Sequence, residues 1–420
     1  MTDFIYANPV SDDPSGYAAG LQALLDRCSG EGGGTVSVTA PGVHLCDGLR
    51  LRSRVTLELA EGVTLRASGD ESTYEHRPGP FELNANETPI CAFVHGKGLT
   101  GAAIRGKGVI DGNYERFVLP GQGPEVQHIA TFAYPRPMTV YLEDCEDAVI
   151  EGVTVGNSPF WTIHLVGCRN TVVRDVAIRN EMRMPNTDGI DVDRCDNTLI
   201  ERCDIVTGDD GVCPKCTEET ARYGGCSNLT VRDCRIVTRS SAVKLGSSSF
   251  ADFENMTFER LTIRDSNRGL AFQLRDPGSA RNIVFRDVTI TTATFSREWW
   301  GSAEAIYLTI LPRTDATDMT GRVIEHVRFE RVTGTCGLPV VAVGHAPGAI
   351  RDVTLDGVEL EASGGAGGDG DAGGAGADGV SYDVDVRPWR GGDAKVPVPA
   401  ADMLGDGPAF RREACRIRFR

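Results

Sequence analysis

The strongest constraint on the fold of this chain is a repeat of short, alternating segments between residues 147 and 360. Each copy follows an Asn, an Asp or a His and continues into a run such as 149–155 or 172–178, where β-branched residues are frequent. The residues that open successive copies are Asp147, Asn170, Asn197, Asn228, Asn255, Asn282, His326 and Asp352. Their spacings are 23, 27, 31, 27, 27, 44 and 26 residues. Such periods are typical of solenoids, in which each unit buries its apolar face by stacking on the next.

The alternation within each copy favours β-strands, and helical periodicity is nearly absent after residue 30. One coil of a parallel β-helix holds about three short strands, and a rise of roughly 3.3 Å per residue suits turns of this length. The recurring Asn suits a stacked turn, where its amide bonds to the coils above and below. The repeat therefore predicts a right-handed parallel β-helix that forms one elongated domain over residues 1–420.

Two regions depart from the repeat. Residues 14–30 place Leu21, Leu24, Leu25 and Cys28 at helical spacing before a run of glycines, which predicts a helix that caps the open end of the solenoid. Residues 363–379 are almost entirely Gly, Ala and Asp, which predicts a flexible surface loop.

Charge and hydropathy exclude several classes of partner. The net charge of −16 argues against nucleic-acid binding, because phosphate neutralisation needs a basic surface. No run approaches the roughly 18–20 apolar residues of a membrane span, and residues 1–5 do not begin a signal peptide. We therefore expect a cytoplasmic protein, or a secreted one if a signal peptide has been removed.

The thirteen cysteines allow two interpretations. A stacked column of small buried side chains is expected where cysteines occupy equivalent repeat positions, at Cys145, Cys168, Cys195 and Cys226. Zinc binding or a disulfide is the alternative for a second group, Cys203, Cys213, Cys216 and Cys226. In this group two residues separate Cys213 from Cys216.

Two acidic motifs lie 21 residues apart within the repeat, at residues 186–191 and 208–212. The apolar anchors that align successive coils are Val140, Ile163, Ile190, Val212, Val243, Leu270 and Ile306. The positions two before each anchor form an outward column of Met138, Trp161, Asp188, Asp210, Ser241, Arg268 and Glu304. Because coils lie about 4.8 Å apart, this register predicts that Asp188, Asp209 and Asp210 meet. Crowded carboxylates raise one another's pKa, so the cluster is costly unless it is used in acid–base chemistry.

The neighbouring outward positions provide the candidate substrate contacts. These are Trp161, His164, Asp191, Lys215, Ser241, Lys244, Arg268, Gln273, Arg275 and Tyr307. A calcium site is the alternative for Asp188, Asp191 and Asp193, which alternate onto one face, but the nearby cations argue against it. We therefore predict no metal and no cofactor.

Several of these motifs resemble glycoside hydrolase family 28, the polygalacturonase family. The similarity lies in Asn-Thr-Asp-Gly at 186–189 and Gly-Asp-Asp at 208–210, and also in segments 110–113, 136–137 and 157–161. It extends over roughly residues 20–360. The resemblance implies a parallel β-helix that hydrolyses α-glycosidic bonds in pectin with inversion. It also implies that Asp209 is the general acid and that Asp188 and Asp210 hold and deprotonate the water.

Two motifs of that family are replaced in this chain. Ser241 stands where the family carries the His of Gly-His-Gly, and residues 271–273 read Ala-Phe-Gln where it carries Arg-Ile-Lys. Lys244, Arg268 and Arg275 are possible substitutes, since a guanidinium can clamp a carboxylate. Equally, the two arginines can be structural and pair with Asp265 or Asp276. We therefore expect a pectic or related plant-derived oligosaccharide, such as a rhamnogalacturonan fragment, in preference to plain polygalacturonan.

Other functions on the same fold stay open at this point. One is a calcium-dependent polysaccharide lyase, and another is a carbohydrate-binding solenoid without turnover. Segments 72–95, 113–135 and 292–320 are candidate insertions that would shape the substrate groove. Trp299 and Trp300 in the third segment suit sugar stacking, internal packing or a contact between subunits of a homo-oligomer.

Overall fold

The computed structural model describes residues 2–10, 12–77, 90–131, 136–295, 299–346, 348–362, 380–381, 410–413 and 416–419. The predicted flexible segment 363–379 lies outside these residues. The chain divides into two compact units, Met1–Asp209 and Asp210–Arg420. Among the described residues, no helix has the length and apolar character needed to cross a membrane.

The first unit begins with a strand and a helix and continues as short strands. Its helix is α1, Pro14–Gly30, and its short 3-10 helices are Glu71–Thr73 and Tyr114–Phe117. Its strands are β1 Thr2–Tyr6, β2 Gly34–Val38, β3 Gly42–Cys46, β4 Leu49–Arg50, β5 Val55–Leu59, β6 Val63–Ala67, β7 Glu75–Arg77, β8 Ile90–Lys97, β9 Ala103–Gly106, β10 Val109–Asp111, β11 Met138–Glu143, β12 Val149–Glu151, β13 Thr154–Gly156, β14 Ile163–Val166, β15 Arg169–Arg174, β16 Ala177–Arg179, β17 Ile190–Asp193, β18 Asp196–Glu201 and β19 Asp204–Thr207.

The second unit contains strands and one 3-10 helix, Glu218–Tyr223. Its strands are β20 Val212–Lys215, β21 Cys226–Arg232, β22 Arg235–Thr238, β23 Ser241–Ser247, β24 Phe253–Glu259, β25 Thr262–Ser266, β26 Arg268–Leu274, β27 Ala280–Thr292, β28 Glu304–Ile310, β29 Ile324–Cys336, β30 Leu338–Gly344, β31 Ile350–Asp356, β32 Glu359–Ala362, β33 Val380–Ser381, β34 Phe410–Glu413 and β35 Arg416–Phe419.

Within each unit the strands stack in parallel into three columns. In the first unit the columns run through β4–β8–β11–β14–β17, through β1–β2–β5–β9–β12–β15–β18 and through β3–β6–β10–β13–β16–β19. In the second unit one column is β20–β23–β26–β28–β30–β33, and β27 and β29 are long enough to serve both of the others. Strand β7 pairs antiparallel to β8. The chain folds as the predicted right-handed parallel β-helix.

The predicted register is confirmed within each unit. Val140 pairs with Ile163 and Ile163 with Ile190 in the first unit. In the second, Val212, Val243, Leu270 and Ile306 follow one another in the same way. All of these anchors are fully buried. Aligning the apolar anchors therefore sets the position of every polar side chain on the same strands.

The residues that open the repeats form hydrogen-bonded ladders along the turns. All eight adopt left-handed backbone angles, with φ between 49° and 58°. Asn170 donates to Asp147 at 3.2 Å, Asn197 donates to Asn170 at 2.8 Å, and Asn282 donates to Asn255 at 3.2 Å. Asn and Asp tolerate this conformation better than other non-glycine residues, which explains their recurrence in the sequence.

Helix α1 has the predicted bounds and packs against β1, β2, β3 and β5. The Asp13 side chain caps it by accepting the Gly16 N–H at 2.9 Å. Leu21, Leu25 and Cys28 are buried, as their spacing predicts. The helix therefore covers apolar surface of the first strands of the unit.

The cysteines are part of the packed interior. All twelve cysteines of the described chain are buried, and none of them forms a disulfide. The Cys195 Sγ accepts the Cys168 N–H at 3.3 Å, and the Cys168 thiol donates to the Leu142 carbonyl at 3.3 Å. In the second unit Cys226 stacks in register on Phe253. The column of small buried side chains is therefore observed, and the disulfide alternative is wrong for these residues.

Candidate functional site

In the first unit, the turn that carries Asp188 is tied to the residue pair Gly208–Asp209. The Asn186 N–H donates to the Asp209 carboxylate at 2.9 Å. Asn186 has φ 59°, a left-handed angle that turns the chain before Asp188. The Gly208 N–H donates to the Thr187 hydroxyl at 3.2 Å. Asp188 and Asp209 are both buried, with exposed fractions of 2% and 4%. The two carboxyl-bearing turns thus form one hydrogen-bonded assembly.

Asn180 is the hub of this assembly. Its amide donates to the Thr162 hydroxyl at 2.7 Å, the Thr207 hydroxyl at 3.0 Å and the Thr187 carbonyl at 3.2 Å. Its side-chain oxygen accepts the Ser158 N–H at 3.0 Å. One buried amide therefore links the turns that precede β14 and β17 to the end of β19, which fixes where Asp188 and Asp209 lie.

Arg136 supports the same turn. Its guanidinium donates to the carbonyls of Pro159 at 2.9 Å and Pro185 at 3.0 Å, and to the Asn186 side chain at 2.8 Å. It also lies over the Phe160 ring, 5.1 Å from the centroid. Arg136 is buried. Its charge therefore stabilises the loop that presents Asp188.

The predicted contacts Trp161, His164 and Asp191 lie on the same side of the first unit and are buried. Trp161 and His164 meet edge to face with centroids 4.7 Å apart, and His164 meets Tyr141 in the same way at 5.3 Å. The His164 Nε2 lies 3.4 Å from the Asp193 carboxylate. Asp191 follows His164 in register. These rings pack against one another on the face formed by β11 and β14.

In the second unit, Asp210 is surrounded by donors and positive charge. The Ser240 hydroxyl donates to its Oδ1 at 2.9 Å, and the Ser241 N–H donates to the same oxygen at 3.1 Å. The Lys244 ammonium forms an ion pair with its Oδ2. Asp210 is fully buried, and Lys215 is buried as well. The predicted residues Ser241 and Lys244 therefore both contact this carboxylate.

This environment keeps Asp210 ionised. Burial alone would raise the pKa of the carboxyl, because low dielectric disfavours the charged form. The charges of Lys244 and Lys215, together with the hydrogen bonds, more than offset that effect, so the pKa of Asp210 lies below its ordinary value. Asp210 is therefore a carboxylate near neutral pH.

Arg268 and Tyr307 belong to a buried ion-pair cluster. The Arg268 guanidinium donates to the Glu304 carboxylate at 3.0 and 3.3 Å and lies 3.7 Å from the Tyr307 ring centroid. Arg268, Tyr307 and Glu304 each expose about 1% of their surface. Glu304, its neighbour in the outward column, is the observed partner of Arg268, whereas the sequence suggested Asp265 or Asp276.

Gln273 and Arg275 lie at the edge of the same column and are half-buried. Gln273 stacks in register between Gly246 and Thr309. Arg275 donates to the Arg313 carbonyl at 3.5 Å. The carboxylate of Asp276 instead receives both arms of the Arg313 guanidinium, at 2.7 and 2.8 Å.

The two adjacent tryptophans differ in exposure. Trp299 is completely buried, whereas Trp300 is half-buried. Their rings meet edge to face with centroids 5.8 Å apart, and the Trp300 carbonyl accepts the Asn267 amide at 2.5 Å. Internal packing therefore accounts for Trp299. Residues 78–89 of the candidate insertion 72–95 and residues 132–135 of the candidate insertion 113–135 lie outside the described residues.

Sequence reasoning missed several residues that organise these clusters. Asn180, Ser240 and Glu304 had no assigned role, and Arg136 was noted only within a motif. The sequence position of both Ser240 and Glu304 could have identified them. Ser240 directly precedes Ser241, and Glu304 lies beside Arg268 in the outward column. For Asn180, the sequence offers no repeat position that distinguishes it from other turn residues.

Comparisons with known proteins agree with this architecture. The model of glycosyl hydrolases family 28 matches residues 28–369. A probable polygalacturonase from Vitis vinifera is 31% identical over 283 residues, which cover 64% of this chain and 55% of that protein. The matched region thus spans about half the length of this relative.

Two solved structures share the fold. An exopolygalacturonase from Thermotoga maritima superimposes with a TM-score of 0.64 at 20% identity, covering 85% of this chain and 90% of that one. The polygalacturonase from Erwinia carotovora gives 0.62 at 20% identity, covering 86% and 94%. Because the family model extends over well more than half of its residues, the chain belongs to glycosyl hydrolases family 28.

Proposed function

We propose that this chain is an inverting glycoside hydrolase that cleaves α-glycosidic bonds in a pectic or related plant-derived oligosaccharide. Asp209 is the general acid, and Asp188 and Asp210 hold the attacking water and accept its proton. The family assignment supports the reaction class, and both acidic motifs lie inside the matched region.

The observation that carries the assignment of roles is the contrast between two consecutive carboxyl groups. Asp209 accepts a hydrogen bond from the neutral N–H of Asn186, whereas Asp210 is paired with the Lys244 ammonium. Different environments for adjacent titratable groups are how one site supplies both an acid and a base. The lowered pKa of Asp210 suits a base that is ionised before the substrate arrives.

In the proposed reaction, Asp209 gives its proton to the glycosidic oxygen as the bond from the anomeric carbon to that oxygen breaks. Water attacks the opposite face of the anomeric carbon and passes a proton to Asp188 or Asp210, which releases it to solvent after the reaction. The new hydroxyl therefore has the inverted configuration, and Asp209 is reprotonated from solvent before the next cycle.

The sugar next to the scissile bond is proposed to be uncharged, as in a rhamnogalacturonan fragment. A galacturonate carboxylate calls for a cationic partner, yet Ala271 and Gln273 occupy the family's cationic positions. Lys244 and Arg268, the nearby cations, are engaged by Asp210 and Glu304. Arg275 donates to the Arg313 carbonyl, and the charge of Lys215 acts on Asp210. Half-buried Gln273 is therefore the proposed sugar contact on this side, together with Ser241.

Mass spectrometry of products from a panel of pectic oligosaccharides tests this proposal. We expect hydrolysis, with rhamnogalacturonan oligosaccharides cleaved at least tenfold faster than oligogalacturonides of equal length. Products with an unsaturated sugar would contradict hydrolysis, and faster cleavage of oligogalacturonides would contradict the uncharged subsite. The Asp209→Asn variant is the control for turnover by a contaminating enzyme.

A further inference from the structure

Lys244 occupies an unusual position beside a proposed catalytic carboxylate. It follows the buried anchor Val243 on β23 and is in register with Ala271 on the next strand. Its side chain exposes 14% of its surface, whereas the Asp210 side chain exposes none. The ammonium is therefore brought to Asp210 by the strand itself rather than by a mobile surface loop.

We propose that Lys244 is a positioning residue for hydrolysis, which holds Asp210 as a carboxylate in one orientation. This inference rests on the proposed function, in which Asp210 takes a proton from water. Lys244 engages Oδ2, while the Ser240 hydroxyl and the Ser241 N–H engage Oδ1. With donors on both oxygens, rotation of the carboxylate about its terminal bond would break at least one contact.

Two further groups of the second unit, Cys213 and Lys215, face Asp210, and Asp209 precedes it in the chain. The Cys213 thiol lies 3.9 Å from Oδ2 and is a weak donor without charge. Lys215 on β20 contributes a second positive charge. Asp209, the preceding residue in the chain, carries a carboxyl group whose negative charge, when ionised, opposes ionisation of Asp210. An ion pair is therefore needed to hold the charge of a fully buried carboxylate.

We expect Lys244 to set the lower limit of the pH range in which the enzyme is active. Without Lys244, the effect of burial dominates and the pKa of Asp210 rises. Asp210 is then protonated in a larger share of the enzyme molecules at mildly acidic pH. Each unit of that rise lowers the ionised fraction about tenfold on the acidic side of the profile. Lys244 thereby extends activity toward lower pH, which a purely structural contact would not do.

The test compares pH profiles of kcat/KM for wild type, Lys244→Met and Lys244→Arg, using the oligosaccharide that wild type cleaves fastest. We expect the acidic limb of Lys244→Met to move up by at least one pH unit and that of Lys244→Arg to stay within about 0.3 unit, because arginine keeps the charge. Lys107→Met is the matched control, since Lys107 is exposed in the first unit. An acidic limb that does not move in Lys244→Met would overturn the inference.

A second measurement does not depend on activity. With Asp210 ionised, loss of Lys244 leaves a buried charge without its partner, so the Tm of Lys244→Met falls below that of wild type. Because the folded pKa of Asp210 is lowered, its stabilising contribution is present above the unfolded pKa, near 3.9, and is lost as pH falls.

In Lys244→Met the pKa of Asp210 is raised, so this carboxyl takes up a proton as pH falls and the unpaired buried charge disappears. The Tm difference should therefore be largest near pH 7 and shrink as pH falls, and a difference independent of pH would contradict the ion pair's role. If Lys244→Met does not fold, Lys244→Gln serves in its place. Should wild type hydrolyse nothing in the panel, the proposed function fails while the Tm series still reports on the ion pair.

Discussion

The buried ion pair of Arg268 and Glu304 should make a measurable contribution to the free energy of unfolding. The two side chains expose 1% and 2% of their surface, and the guanidinium also lies over the Tyr307 ring. Replacing Arg268 with Met leaves the Glu304 carboxylate buried without its counter-charge. Removing one partner of such a pair costs about 3–5 kcal/mol, and the lost ring contact adds up to about 2 kcal/mol.

We therefore expect Arg268→Met to lower the free energy of unfolding by about 4–6 kcal/mol, measured by urea unfolding followed by circular dichroism. The double variant Arg268→Met/Glu304→Leu removes both charges and should recover to within about 2 kcal/mol of wild type. A loss below about 1 kcal/mol in Arg268→Met would refute the reasoning. So would a double variant as unstable as the single one.

The same pair of variants separates a structural role from a substrate clamp. If Arg268 serves Glu304, the double variant keeps the wild-type KM for an uncharged oligosaccharide and for an oligogalacturonide. If it grips a substrate carboxylate, KM rises for the oligogalacturonide alone. The second outcome would return Arg268 to the list of substrate contacts.

Two further variants test the assembly around the acidic turns. Asn180→Ala removes two hydrogens that are shared among three acceptors and one accepted hydrogen bond. At about 1 kcal/mol net for each of these three bonds, we expect a loss of about 3 kcal/mol in urea unfolding and a fall in kcat as the Thr187 turn loosens; unchanged stability would mean that these bonds of Asn180 are dispensable. Gly208→Ala places a methyl group against the Met184 carbonyl and should lower both Tm and kcat, whereas Gly30→Ala, with open space around the added carbon, should change neither.

The fold could be predicted because both the turn residues and the buried anchors of the repeat have a physical cause. The left-handed turn positions select Asn and Asp, which is why residues such as Asn170 recur with the period of the coil. The buried anchors fix register, and a strand cannot slip by one residue without exposing its apolar set. Val243 and Leu270 could therefore be aligned from sequence alone.

Side-chain partners were harder to predict than positions. The predicted register places Arg268 beside Glu304 in the outward column. The sequence nevertheless suggests Asp265 or Asp276 as its partner, because both lie closer to it in the chain. Closeness in the chain is a poor guide to contacts between stacked coils. Coils bring residues 36 positions apart into contact at 3.0 Å. Lys244 shows the same effect, since a residue considered for substrate contact is engaged by Asp210.

The residues that support the acidic turns could not be predicted from the sequence. The turn joining Asn186 to Asp209 depends on hydrogen bonds from Asn180 and Arg136, whose roles arise only when several coils are stacked. No periodic pattern marks such residues, since each serves one turn rather than every turn. Residues that repeat could be predicted, and residues that support one irregular turn could not.

The central claim, inverting hydrolysis with Asp209 as the acid, is tested most directly by proton NMR of the anomeric signals during the first minutes of cleavage of an α-linked oligosaccharide. Wild type should release the β anomer first, before mutarotation. Asp209→Asn should bind the substrate but turn it over at least about a hundredfold more slowly than wild type. Release of the α anomer first, or turnover by Asp209→Asn at the wild-type rate, would contradict it.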